Sequence, residues 1–457
     1  MNANLQEKDT IDLGDERLNR RLIKIIENCS HNPSSSIPAT FESWGQTKAV
    51  YRLFDSQKVS EEKILSAHYK ATIERIREHD KKDPILLIQD TSDLNYATHS
   101  AKEELGETHS HIKHGLVFHP TIAVTSTRIP LGTVATKFWT RNRKEEKKES
   151  PFAYQRKPIE EKESYRWLAS FKLSEEVAKK CPDNKIINVA DREADIFEVL
   201  SQAANTSINN VFFLVRSSHN RLAVEQHKKL EEVVDSCKPA GQISFLLKGR
   251  GESNRKVKQE IKYTKVMLTK NEKAQQSSPI PIWVISAKEI SPKKGCSAVN
   301  WRLLSTLPIH NFDDAIEALN YYLARWEIEI FFKVLKSGCN IEKVQIKDLR
   351  RLINCISVYM IVAWRVMFLT KLGREYPDLC SDLLFSEIEW KAAYAAAHDK
   401  RPPSLPPSLG DIMLCIASLG GYLGRKNDEP PGYKTIWRGI QKLEGVVRGY
   451  HISKFLT

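Results

Sequence analysis

Apolar residues recur at helical spacing through LGDERLNRRLIKIIENC, TKAVYRLFDS and EEKILSAHYKATIERI, so residues 1–75 predict helices, interrupted by the turn-rich HNPSSS. From Pro84 the pattern changes. PILLIQD is a short apolar run ending in an acid, and GLVFHPTIAVT and IPLGTVATKFW read as two further strands. The charged loop RNRKEEKKES precedes a helix over about Glu161–Lys180, and KIINVAD, READIFEVLSQAA and NVFFLVR then alternate strand, helix, strand. Three strands in a meander followed by strand–helix alternation predict an α/β fold with a mixed sheet flanked by helices. Residues 217–300 interrupt that order with the strand-like QISFLLKG, IKYTKVMLT and PIWVISAKEI between Lys/Gly/Ser-rich turns, which predicts a β-rich insertion. After WRLLST the chain reads as helices: Asp313–Ser337, Asp348–Leu372, Leu384–Ala397 and two more beyond PPSLPPSLG.

At 457 residues and 41% hydrophobic, the chain is long enough for about three domains at ~150 residues each. The most apolar segment, Leu352–Thr370, is broken by Asn354 and Arg365. Its longest charge-free piece, Leu352–Trp364, has 13 residues, short of the ~20 of a membrane span, so it predicts a buried helix. The first thirty residues carry charge where a secretory leader needs an apolar stretch. Eight cysteines stand singly with no C-x2-C pair, which predicts reduced thiols and a cytoplasmic location and argues against a zinc ribbon. His109, His111, His114 and His119 cluster in sequence, but histidines at i and i+2 of a polar loop read more simply as solvated than as a metal site.

Charge adds a partner. The net charge of +13 predicts a polyanion, without saying which. Residues 1–75 hold eleven basic and eleven acidic side chains, so DNA contact there depends on Arg17, Arg20, Arg21, Lys24, Lys48 and Arg52 sharing a surface. Residues 217–300 hold 16 basic and 8 acidic side chains, hence +8, and Lys248–Lys270 alone has eight basic and two acidic; a solvated loop is the plain reading, but interleaved Phe245 and Tyr263 favour a β insert with a basic face. The polar stretch EHDKKD before the first strand suggests N-terminal helices that can be removed without unravelling the sheet. No GxxxxGK[ST] or GxSxG occurs, which speaks against a nucleotide-driven motor or an α/β-hydrolase.

Three acids stand out by position. Asp90 and Asp191 each end an apolar strand, and carboxylates at strand ends of one sheet converge where hard cations find oxygen ligands. In YYLARWEIEIFFKVLKSG, Tyr322, Arg325, Trp326, Glu329, Lys333 and Lys336 share one ~100° stripe of a helix. The remaining positions are apolar except Glu327, so the helix reads as buried with its polar stripe facing a cleft. The plain alternative is a ladder of ion pairs, Arg325–Glu329 and Glu329–Lys333.

The spacing Y-x2-R-x3-E-x6-K, from Tyr322, Arg325, Glu329 and Lys336, resembles the signature of a group of bacterial DDE transposases, insertion-sequence enzymes that cut and paste through a DNA hairpin. IQDTSDLNY around Asp90 and VADREADIF around Asp191 resemble their first two catalytic motifs, and LGRKNDEPPGYKTIWRGIQKL resembles their C-terminal tail. The likeness runs from about Leu13 to Tyr450; Phe332 departs from it, where some members carry histidine. The resemblance implies a ribonuclease H-like core in two parts, 76–216 and 301–375, a basic β insertion at 217–300, a DNA-binding domain at 1–75 and a dimerisation domain at 376–457. It implies two Mg²⁺ ions, with Mn²⁺ as a substitute: Asp90 the ligand shared by both, Asp191 on one and Glu329 on the other. Tyr322, Arg325 and Lys336, with Lys333 beside them, would grip phosphates, and Arg216 would touch the transposon end. Trp301 would stack a displaced base and Trp326 fill the space that it leaves. Partners would be double-stranded DNA and a second copy of the chain, with no membrane. A metal-dependent nuclease that cuts without joining and a catalytically silent DNA-binding regulator are the competing readings.

Overall fold

The computed structural model describes residues 6–41, 43–96, 104–108, 113–141, 157–247, 254–270, 278–293 and 295–456. Helices α1 (Glu16–His31), α2 (Ile37–Thr40), α3 (Trp44–Asp55) and α4 (Glu61–Glu78) lead into strands β1 (Ile85–Gln89), β2 (Ser92–Asn95), β3 (Gly115–Thr125) and β4 (Pro130–Trp139). Then come α5 (Tyr165–Lys180), β5 (Ile186–Ala190), α6 (Phe197–Ala204) and β6 (Val211–Arg216). Residues 217–305 form β7 (Leu222–Ala223), β8 (Lys228–Lys229), α7 (Leu230–Ser236), β9 (Gly241–Leu247), β10 (Arg255–Leu268), β11 (Ile280–Glu289) and β12 (Asn300–Ser305). The remainder is helical: α8 (Phe312–Ala324), α9 (Trp326–Lys333), α10 (Leu349–Glu375), α11 (Glu387–His398), α12 (Leu409–Leu419) and α13 (Tyr433–Ser453). The class is α/β with a mixed sheet and helical regions at both ends, as the periodicity predicts. The pattern missed β2, β7, β8 and α7, all too short to show a period. Of the expected charged loop RNRKEEKKES only Arg141 lies within the described residues.

The chain divides into two compact units: Ile76–Asp90 with Glu149–Trp326, and Met1–Arg75 with Thr91–Lys148 and Glu327–Thr457. Residues 217–300 fall in the same unit as β1 and β5.

In the first of these, the strand unit, β1, β5 and β6 run parallel. β12 pairs antiparallel to β6, β11 to β12 and β10 to β11, so the inserted strands extend the existing sheet rather than building a separate one. Every residue of β1 and β5 is buried, the uniform apolar run expected of central parallel strands. The polar groups among them are satisfied in series: Gln89 donates to Asn188 Oδ1 at 2.7 Å, and Asn188 donates to Ser174 Oγ at 2.7 Å.

The helical unit is organised around α10. By length and composition α10 is the one helix among the described residues that could cross a membrane, yet its apolar window is 89% buried inside the protein. Helices α1 and α3 and strand β4 pack on it. Its two polar interruptions are used: Asn354 donates to Phe54 O at 3.0 Å, and Arg365 donates to Ser30 Oγ at 3.0 Å. A second buried cluster ties the chain start to α4. Glu7 Oε1 accepts from His68 Nδ1 at 2.9 Å and Arg75 at 2.6 Å, while His68 Nε2 accepts from Thr133 N at 3.0 Å. The N-terminal helices are therefore bonded into this unit by buried charge and by α10, contrary to the separability that EHDKKD suggests. Toward the C-terminus, Phe385, Trp390, Ile412, Ile416, Ile436 and Ile440 form a core joining α11, α12 and α13.

Candidate active site

Strand register brings the first two acids together. Ile88 of β1 lies opposite Val189 of β5, so two residues further along both parallel strands Asp90 lies beside Asp191. Ala190 lies opposite Val215 of β6, so the next step puts Asp191 beside Arg216. Asp90, Asp191 and Arg216 thus form one row at the C-terminal edge of three adjacent strands. This is the edge at which open α/β sheets place their ligands.

Neighbouring groups set the row's charge. Arg325, in the turn that ends α8, donates to Asp90 Oδ2 at 2.9 Å. Asp191 caps the 3-10 turn Arg192–Ala194 by accepting from Glu193 N at 2.8 Å. Burial raises the Asp191 carboxyl above the usual range and Glu193 adds to the shift, while that hydrogen bond, Arg325 and Arg192 oppose it. Tyr322 is buried, which pushes its hydroxyl up despite the charges of Arg325 and Arg216. Asp191 therefore opens a 3-10 turn, and α6 begins only at Phe197, not directly after the strand as READIFEVLSQAA suggests.

Sequence reasoning passed over Asp195. Its buried carboxylate accepts from Ser218 N at 2.6 Å and His219 N at 2.9 Å, and it pairs with Arg221. It thereby fixes the loop that leaves Arg216. The signal was a second acid four residues after Asp191 in a motif already singled out.

The expected glutamate helix is not one regular helix. It turns at Arg325, resumes as α9, and becomes a π-helical turn over Val334–Gly338. Uniform winding at ~100° per residue therefore does not hold beyond Lys333. Glu329 is half-buried and Lys333 exposed on α9. Burial lowers the Lys336 ammonium, with Glu342 and Asp93 opposing. These three side chains belong to the helical unit, whereas Tyr322, Arg325 and the half-exposed Trp326 belong to the strand unit. Leu323, expected inside, is exposed, and Glu327, left out of the stripe, is buried in an ion pair with Lys371 at 3.0 Å.

Trp301, the second residue of β12, has its ring stacked on Phe245, centroids 6.4 Å apart and planes 11° from parallel. With Arg216, Lys288, Asn300 and Arg302 it lines a cleft of about 220 Å³. On β10, Lys256 and Lys258 are exposed on the face opposite buried Val257, Gln259 and Ile261, so the insertion does present cations by strand alternation, while half-buried Lys262 on that face is held by Glu260 at 3.5 Å and donates to Asp235 O at 2.8 Å. Arg255, Lys270 and Lys288 are instead paired with Glu289, Glu198 and Asp235. Residues 248–253 of the expected basic stretch lie outside the described residues. Tyr263 donates to His310 O at 3.2 Å.

At the chain start, Arg17, Arg20 and Lys24 are exposed and Arg21 half-buried on one stripe of α1, and Lys48 and Arg52 are exposed on α3. Arg17 and Arg20 also approach Asp15 and Glu16, at 3.8 Å and 3.4 Å.

For a hard divalent cation, Asp90 and Asp191 have suitable chemistry: two carboxylates on adjacent strand ends, one of them disfavoured as an anion by burial. Among the described residues no group of three or more His, Cys, Asp or Glu is placed to hold a metal ion. His109 and His111 lie outside the described residues, and His119 is buried with Nδ1 2.9 Å from Thr91 Oγ1. All eight cysteines are free thiols.

Comparison with known families adds two matches. Residues 2–59 match the transposase DNA-binding family, and residues 361–456 match the Tn5 transposase dimerisation domain. A DNA-binding family at one end and a dimerisation family at the other support a DNA transposase of the Tn5 type, a DNA-processing enzyme that binds DNA and forms homodimers.

Proposed function

We propose that the protein is a DDE transposase with a ribonuclease H-like core, which excises its element through a DNA hairpin and joins it to target DNA. The observation that supports this most is the in-register row of Asp90, Asp191 and Arg216, with Arg325 bonded to Asp90. In this reading Asp90, Asp191 and Glu329 hold two Mg²⁺ ions, with Mn²⁺ able to substitute. When bound, these supply an activated nucleophile and a stabilised leaving oxygen for phosphodiester attack.

The chain's own side chains do the positioning. Arg325 orients the Asp90 carboxylate through its hydrogen bond and lowers the cost of charge at Asp191. Arg216, Lys333 and Lys336 carry charge to DNA phosphates. Tyr322, kept protonated by burial, donates a hydrogen bond without adding charge. Trp301, backed by Phe245, stacks a displaced base, and Trp326 offers an exposed ring to occupy the place it vacates. Helices α1 and α3 hold the transposon end, and the C-terminal helices pair two subunits in the cytoplasm of a bacterial cell.

Asp90→Asn, Asp191→Asn and Glu329→Gln should each abolish cleavage while end binding survives, because only carboxylate charge is removed. Incubating a donor end with supercoiled target separates the readings. Joined products mark a transposase, cleavage alone a nuclease and binding alone a regulator. Wild-type cleavage by any one variant removes that residue from the site.

A further inference from the structure

Helix α9 begins at Trp326, directly after the turn at Arg325, and runs into the π turn Val334–Gly338. It is therefore a short helix whose rotation is inherited from no longer regular one, and lateral contacts must decide where Glu329 points. From Glu327 onward it shares a compact unit with α10–α13. Ile328, Phe331 and Phe332 are buried, but apolar burial is non-directional and tolerates small rotations. Glu327 is different. It is 3% exposed, and Lys371 of α10, itself 9% exposed, donates to its Oε1 at 3.0 Å. Exchanging a buried ion pair for apolar side chains of like volume often costs no stability, so a fixed geometry is the stronger reason for this one.

Two further contacts tie the same segment to α13. The hydroxyl of Tyr433, the first residue of α13, is buried against Glu327, whose charge adds to burial in pushing that hydroxyl up. Arg374 of α10 lies over the Tyr433 ring, 5.3 Å from its centroid, and donates to Pro431 O just before α13. At the other end, Gly338 closes the π turn. A Cβ there would meet the Trp437 ring of α13 at 3.0–3.3 Å, so glycine lets α13 lie directly on the turn. Glu327 and Glu329 are two residues apart, ~200° around the helix, so an anchor on one side sets the aim of the carboxylate on the other. Lys371, Arg374, Tyr433 and Trp437 all fall within residues 361–456, the match to the dimerisation family.

We propose that Glu327 and Gly338 are positioning residues for Glu329: through Lys371, Tyr433 and Trp437 they fasten its helix to the C-terminal helices, which thereby serve metal binding as well as pairing. The inference rests on Glu329 being a metal ligand, as in the function proposed above, and adds what holds that ligand in place.

The test measures Mn²⁺ binding by electron paramagnetic resonance, using the full chain on a precleaved terminal-repeat duplex, where no strand remains to be cut. Melting temperature, duplex affinity and the Mg²⁺ dependence of cleavage on an uncut end are followed alongside. Glu327→Met with Lys371→Met should melt near the wild-type temperature and hold the duplex equally well. It should nevertheless bind Mn²⁺ about ten-fold more weakly, the scale of a lost outer contact to a metal ligand, and need correspondingly more Mg²⁺ for cleavage. Gly338→Ala should weaken Mn²⁺ binding in the same direction without touching a charge. In a Glu329→Gln background neither change should weaken it further, because no carboxylate is left to aim. Wild-type Mn²⁺ affinity in both variants overturns the proposal, as does a loss that persists in full beside Glu329→Gln. A Glu327→Met, Lys371→Met chain that melts far below wild type also overturns it, since the pair would then hold the fold and not the aim of the helix. If Glu329→Gln alone binds Mn²⁺ and cleaves like wild type, the metal-site reading fails and this inference fails with it. If Glu329→Gln is impaired and the other variants are not, only the inference fails.

Discussion

At the scale of single residues, the site depends on side chains whose partners are far away in sequence. Arg325 reaches Asp90 across 235 positions, and Asp195 captures Ser218, His219 and Arg221. Asp195→Ala would leave the Arg221 guanidinium and two amides without their acceptor, and breaking a buried pair this way costs about 3–5 kcal/mol. A urea midpoint shifted accordingly, with Arg216 function impaired, is the expected result; an unchanged midpoint would assign the loop's order to other contacts. Trp301→Ala should permit the first nick but slow hairpin closure, since a lost base stack is worth ~1–3 kcal/mol. A precleaved end should still be joined. If nicking fails as badly as closure, the stack on Phe245 is a packing contact of the strand unit and not a base platform.

At the scale of elements, the informative departures are where winding changes. Helix α8 stops at Ala324 and α9 at Lys333, with a turn at Arg325 between them and a π turn beyond. Neither break has a proline or glycine at its start to announce it, so periodicity alone continues through both. The 3-10 turn that holds Glu7 is likewise secured by other elements. Burial by itself would raise the Glu7 carboxyl, but the hydrogen bond and charge of His68, then Arg75, bring it down from 4.5 to about 2. A carboxyl depressed in the fold stabilises it above the unfolded value of 4.5, and that contribution is lost as pH falls from there to about 2. The shift corresponds to a contribution on the order of 3 kcal/mol. Glu7→Gln should therefore be less stable than wild type at pH 7 and converge on it toward pH 2. Melting curves over that range check the sign.

At the scale of the whole molecule, the matched families cover the two ends, 2–59 and 361–456, and both ends contribute to the helical unit. A chain beginning near Ser66 therefore loses more than DNA binding. It strips α1 and α3 from α10 and leaves His68 and Arg75 without Glu7. Such a chain should aggregate or melt well below the full protein, and so should be a poor inhibitor of transposition by mixed pairing. A truncated chain that is folded, soluble and able to pair would show the N-terminal helices to be separable after all, as the polar linker suggests.

Most elements were legible along the chain because their signals are local. GLVFHPTIAVT coincides with β3, LGDERLNRRLIKIIENC contains the start and most of α1, and the apolar run of α10 predicted a buried helix. Asp90 and Asp191 were visible for the same reason: each follows an apolar strand directly. What the sequence could not determine depends on pairing between distant segments. Only strand register sets Asp90, Asp191 and Arg216 in one row, and only the pairing of β12 with β6 makes the basic insertion an extension of the sheet. Burial of Glu7, Asp195 and Glu327 has the same origin. A charged residue leaves water when partners arrive from elsewhere in the fold, and no periodicity of its own segment records them.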